Sequence, residues 1–145
     1  MPKATDTCND IIDLIFNGIT FNGFAENDST SPNTDLYLSL HTADPGVGGL
    51  QTTNETAYTN YVRVAVSRVA YAGWDAAVGG VTQNAALIQF AQCGVTGATI
   101  THVAVGRDSA GGGRVLYAGA LTSSLAVANL IQPQFAIGAL EVTES

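Results

Sequence analysis

The chain changes its hydrophobic period once. Over residues 5–17 the apolar positions Ile11, Leu14 and Ile15 recur at helical spacing, and Gly18 follows as a stop. This predicts a helix near residues 6–16, with Thr7 and Asp10 placed as a carboxylate variant of the capping box. Residues 18–34 are polar, and the turn signals Asn22-Gly23, Asn27-Asp28 and Ser31-Pro32-Asn33 punctuate them. From residue 35 the period becomes two. Leu36, Leu38 and Leu40 alternate with Tyr37, Ser39 and His41, the pattern of a half-buried strand. Further strands are expected within Tyr61–Tyr71, Val78–Phe90, Thr99–Val105, Val115–Leu121, Leu125–Ile131 and Phe135–Val142.

Seven or eight short strands with Gly-rich turns imply an all-β fold. An antiparallel β-sandwich preceded by a short N-terminal helix is expected, with jelly-roll topology as one form of it. The chain divides into residues 1–34 (arm, helix and loop) and residues 35–145 (the sandwich). The expected core is Leu36, Leu38, Leu40, Val62, Val64, Val66, Trp74, Phe90, Val103, Val105, Leu121 and Ile137. Asp44-Pro45-Gly46 is a structural turn: Pro sets the first central φ and Gly accepts a positive φ at the second. The polar loop over residues 47–59 is long enough to be an interface or binding loop.

Charge narrows the function. Charged residues are 12% of the chain, about half the usual ~25%. Five Lys and Arg stand against twelve Asp and Glu, for a net charge of −7. Binding to nucleic acid rests on cationic side chains that displace counterions from phosphates, so nucleic acid is not expected as a partner, nor is an anionic membrane. No stretch has the apolar length of a membrane span, and the first residues lack the apolar core of a secretory signal. Synthesis and folding in a cytoplasm follow as the expectation, with Cys8 and Cys93 as free thiols.

Candidate chemistry is sparse. His41 and His102 lie in expected strands without ligand-spaced neighbours, so no metal is expected. Asp108 ahead of Gly111-Gly112-Gly113 lacks the Lys-Ser/Thr of a phosphate loop and reads as a hairpin. Cys93 with His102 could form a dyad only through the fold, and so could a meeting of Asp75, Asp108, Glu55 and the histidines. No catalytic residue, cofactor or enzymatic activity is expected. Tyr37, Tyr58, Tyr61 and Tyr71 serve equally as strand packing or as an exposed sugar- or protein-binding surface.

The run Leu36-Tyr37-Leu38-Ser39-Leu40-His41-Thr42-Ala43-Asp44-Pro45-Gly46 resembles the start of a family of small virion proteins of tailed bacteriophages. The resemblance continues in Tyr61-Val62-Arg63, Trp74, Asn84–Phe90, Ile100-Thr101-His102-Val103 and Leu116-Tyr117-Ala118-Gly119-Ala120-Leu121. It ends at Ile137-Gly138-Ala139-Leu140, after a departure at Gln132-Pro133-Gln134. It implies a structural virion part used in many copies. The favoured expectation is a capsid decoration, or cement, protein on the outer capsid surface. Its partners would be the major capsid protein and copies of itself, as a homotrimer. Ile11, Leu14, Ile15 and Phe16 would form the capsid or subunit contact. The alternative is a tail or tail-fibre tip module that contacts a host receptor or glycan through residues 22–34 and 47–60.

Overall fold

The computed structural model describes residues 2–145; Met1, the start of the expected arm, lies outside them. One helix, α1 (Thr5–Asn17), precedes eight strands: β1 (Asp35–His41), β2 (Val64–Ser67), β3 (Val81–Gln83), β4 (Ile88–Gln89), β5 (Ala98–Gly106), β6 (Val115–Val127), β7 (Gln134–Phe135) and β8 (Glu141–Thr143). The expected class is what these elements give: all-β, with antiparallel sheets after a short N-terminal helix. The largest sheet has the order β2-β1-β5-β6. No helix among the described residues is long and apolar enough to cross a membrane.

The chain forms two compact units. The first comprises residues 1–35, 66–88 and 135–145, and the second residues 36–65 and 89–134. In the first unit, α1 buries Cys8, Ile12 and Phe16, four residues apart, which is one stripe of a helix. Phe16 meets Trp74 edge to face, with ring centroids 4.6 Å apart. The expected capping box is absent: Ala4 is the N-cap and makes no side-chain bond. The helix stops where expected, at Gly18, which takes the left-handed φ of 63°. Its last turn is held from outside by Arg68. The guanidinium donates to the carbonyls of Leu14 (2.7 Å) and Ile15 (2.5 Å), which a helix end leaves without partners of their own. It also donates to Asn33 O (2.7 Å) and Asn27 Oδ1 (3.3 Å), tying the 18–34 segment to the helix. Asn84, fully buried, serves as a second tie. Its side chain donates to the carbonyls of Ala86 and Ala136 and accepts from Leu140 N–H, each at 2.8 Å.

In the second unit, β1 pairs antiparallel with β5 in a register that sets Leu38 opposite Val105 and His41 opposite His102. Leu36, Leu38 and Leu40 are buried as the alternation requires, and so are Phe90, Val103 and Val105. Four expected core positions differ, Ile137 in the first unit and the other three in the second. Val62 and Ile137 are 62% and 68% exposed, and Val64 and Leu121 are only half-buried. Val62 precedes β2, which is shorter than the Tyr61–Tyr71 run, so its alternation has no sheet to act on. Val115–Leu121 and the first part of Leu125–Ile131, expected as separate strands, form the single strand β6, which ends at Val127. Between the pairs Ile100↔Leu125 and His102↔Ala120 the register slips, and Thr122-Ser123-Ser124 is absorbed as a bulge. Cys8 and Cys93 are both buried free thiols, one in each unit.

Candidate functional site

The polar 47–59 loop does not stay extended. Residues 53–56 fold back along β1: Thr42 N–H donates to Asn54 O and Thr56 N–H to Leu40 O, each at 2.9 Å. A fully buried histidine fixes this return. His41 Nδ1 donates to Thr53 O at 2.9 Å, so Nε2 must accept, and it does so from Ser39 Oγ at 2.8 Å. Burial lowers the pKa of His41 and keeps the imidazole neutral. A serine hydroxyl on a histidine nitrogen is the pairing used in nucleophilic catalysis. Here neither residue has any exposed surface, and the pair braces the loop return.

The return places Glu55 beside Arg63. Arg63 Nε and Nη2 each donate to the carboxylate at 2.7 Å, the two-point geometry of a strong ion pair. Tyr61 Oη donates to Glu55 Oε1 at 2.8 Å and accepts from Leu40 N–H at 3.1 Å. Burial raises the Tyr61 pKa, and the hydrogen bond to Glu55 raises that of Arg63. The same guanidinium reaches the Gly-rich hairpin, donating to Asp108 O (2.9 Å) and Gly111 O (2.7 Å). Gln51 anchors the hairpin from the other side. Its backbone N–H donates to Gly113 O at 2.8 Å and its Oε1 accepts from Asp108 N–H at 3.0 Å. Gly106 and Gly113 leave no room for a Cβ beside this buried side chain.

Arg63 thereby forms one wall of an open groove of about 420 Å³, whose lining includes Thr56, Tyr58, Asn60, Val62 and Ser109–Gly111. The groove offers little free charge. Glu55 and Arg63 neutralise each other, and the remaining Arg63 bonds go to carbonyls. What remains is polar and neutral: Asn60, Ser109 and Thr56, whose buried Oγ1 has no hydrogen-bond partner. Tyr58, expected as an exposed aromatic, is buried. Its hydroxyl donates to Ala91 O at 2.9 Å, and burial pushes its pKa up to about 12.

The other residues singled out from the sequence fall elsewhere. Gly46 has φ 76° and its N–H donates to Asp44 Oδ1 at 2.7 Å, while Pro45 is buried, so the turn is built by Asp44 and Gly46 as well as by proline. Phe16 lies in the core of the first unit, with Ile11, Leu14 and Ile15 half-buried on its flanks. The Cys93–His102 dyad does not form: Cys93 Sγ donates to backbone carbonyls at Gly94 and Thr96, and His102 Nδ1 pairs with Thr101 Oγ1. Asp75 belongs to the first unit, Glu55 and Asp108 to the second. No group of His, Cys, Asp or Glu among the described residues could hold a metal. Sequence reading missed Gln51 and Arg68, polar residues whose partners are distant in the chain. The Tyr61-x-Arg63 spacing, on one side of an extended segment, was the available signal for the groove.

Residues 4–143 match the family model described as Podophage GP4 fiber I protein gp80. No curated protein matches the chain.

Proposed function

Because the chain belongs to the podophage GP4 fiber I protein gp80 family, a family of phage structural proteins, we propose that it is a non-enzymatic component of a tail fibre, carried on the virion. The match along nearly the whole chain carries this reading, and it favours the fibre over the capsid decoration role expected at first. The groove beside Arg63 and Glu55 is the surface proposed to meet the host. With its charges paired internally, it suits an uncharged polyhydroxyl ligand, such as a neutral stretch of surface glycan, better than an ionic one. The polar loop over residues 47–60, expected as the contact surface of a fibre module, supplies much of its lining.

Immunogold electron microscopy of virions, with antibody raised against the recombinant chain, tests the location. Label on the fibres is expected, and label spread over the head shell overturns the proposal. For the groove, the recombinant chain should compete with phage for adsorption to host cells. Ala110→Trp, on the exposed hairpin, should fill the groove and abolish competition.

A further inference from the structure

A different face of the second unit carries an inference that goes beyond the fibre reading and does not rest on it. From Val115 to Leu140 no residue bears a charge. This stretch begins with β6, the 13-residue strand at the edge of the four-stranded sheet. Ala118, Gly119 and Ala120 lie exposed there, with side chains too small to shield the backbone. Bulges at Leu116 and across Leu121–Ser124 bracket this regular part of the ladder. Proteins ordinarily guard a long edge with charge or proline, and β6 has neither.

The end of β6 leads to Leu130, which combines two unfavourable conditions. Its φ is 69°, the left-handed region that favours glycine, and its side chain is 68% exposed. Ile131 (43% exposed) follows it, and Val95 (87%) lies in the turn to which both are hydrogen-bonded. Leu130 N–H donates to Cys93 O and Cys93 N–H to Ile131 O, which fixes the 93–97 turn beside this segment. Backbone strain and exposed apolar surface at one residue are unproductive in an isolated chain and useful at an interface.

We infer that this face, from Ala118–Ala120 to Leu130, docks a second copy of the same chain. Charge identifies the occupant. At a net charge of −7, charged faces of two copies repel, whereas the Val115–Ile131 segment brings no charge of its own to its counterpart. Asp44, which lines the surface beside Ala118, is the acid at its margin. A strand edge is also self-complementary when its partner runs antiparallel. The same patch on both copies closes as a twofold dimer, a different order from the trimer expected of a cement protein.

Sedimentation velocity of the full chain over a concentration series tests this. Leu130→Gly removes the apolar knob and relaxes the backbone. Ala118→Lys with Ala120→Lys places charge on the edge. A monomer–dimer equilibrium is expected, with each variant weakening it about tenfold or more. Leu130→Gly should melt no lower than the parent at concentrations where both are monomeric. A chain monomeric at every concentration, a trimer, or a dimer that either variant leaves intact overturns the inference. So does a Leu130→Gly variant whose monomer is destabilised, since that would make Leu130 a packing residue.

Discussion

Arg63 and Glu55 form a two-point ion pair in which the arginine side chain is only 3% exposed. The same guanidinium holds the carbonyls of Asp108 and Gly111. One residue therefore fixes both the return of the 53–56 segment and the position of the hairpin. Arg63→Ala leaves a largely buried carboxylate without its counter-ion and should cost about 3 kcal/mol. Arg63→Lys keeps the charge but loses the fork, and should recover only part of that. Urea unfolding gives the energies. Hydrogen exchange should show residues 107–114 loosened in both variants.

His41 makes stability depend on pH. Its folded pKa is lowered, first by burial, while the unfolded side chain titrates near ~6.5. Between those two values the unfolded chain binds a proton that the folded chain does not, so stability falls as pH drops. Above the unfolded value the contribution is constant. The melting temperature should be flat from about pH 7 to about pH 9 and decline below about pH 6.5. It should fall again above about pH 10, where Tyr58 and Tyr61, whose pKa values burial raises, ionise first in the unfolded chain. His41→Gln should remove that component of the decline, at the expense of lower stability throughout. An unchanged slope in the variant would assign the decline to other groups.

Gln51 occupies space that two glycines leave open. A Cβ at Gly106 would overlap its side chain, and one at Gly113 would overlap both Gln51 and Asp108. Gly106→Ala should destabilise by about 1–3 kcal/mol, the range for overpacking. In Gln51→Ala the same substitution should cost much less. A double-mutant cycle read by chemical denaturation measures this coupling, and additive losses would contradict it.

Arg68 closes the C-terminal turn of α1, where a positive charge is favoured by the helix dipole. Burial lowers its pKa. Arg68→Ala should cost about 3 kcal/mol, as several charge-assisted hydrogen bonds to buried carbonyls are lost together. Limited proteolysis should then cut first within residues 18–34, which lose the bonds at Asn27 and Asn33.

Local signals were legible in the sequence where local physics decides the outcome. The α1 stop at Gly18, the leucine alternation of β1 and the Asp44–Gly46 turn each depend on a few adjacent residues. Burial of the wrong face was not avoidable in the same way. The helix pattern singled out Ile11, Leu14 and Ile15, whereas the buried stripe is Cys8, Ile12 and Phe16. The stripe begins at a cysteine, and Trp74, which meets Phe16, is far along the chain. Thr122-Ser123-Ser124 has the composition of a turn, but the continuous ladder with β5 turns it into a bulge. The candidate groove was least legible. Its residues come from loops whose paths are set by His41, Gln51 and Arg63, each acting on partners remote in sequence.

The two buried thiols give each compact unit its own chemical clock. Cys8 is 5% exposed within the first unit and Cys93 1% within the second. A thiol reagent can modify either one only during the moments when its surroundings open. Mass spectrometry distinguishes the two peptides, so the labelling rate at Cys8 times the opening of the first unit and that at Cys93 the second. Divided by the rates of the same thiols in the unfolded chain, the two rates give each unit's opening free energy and so rank the units.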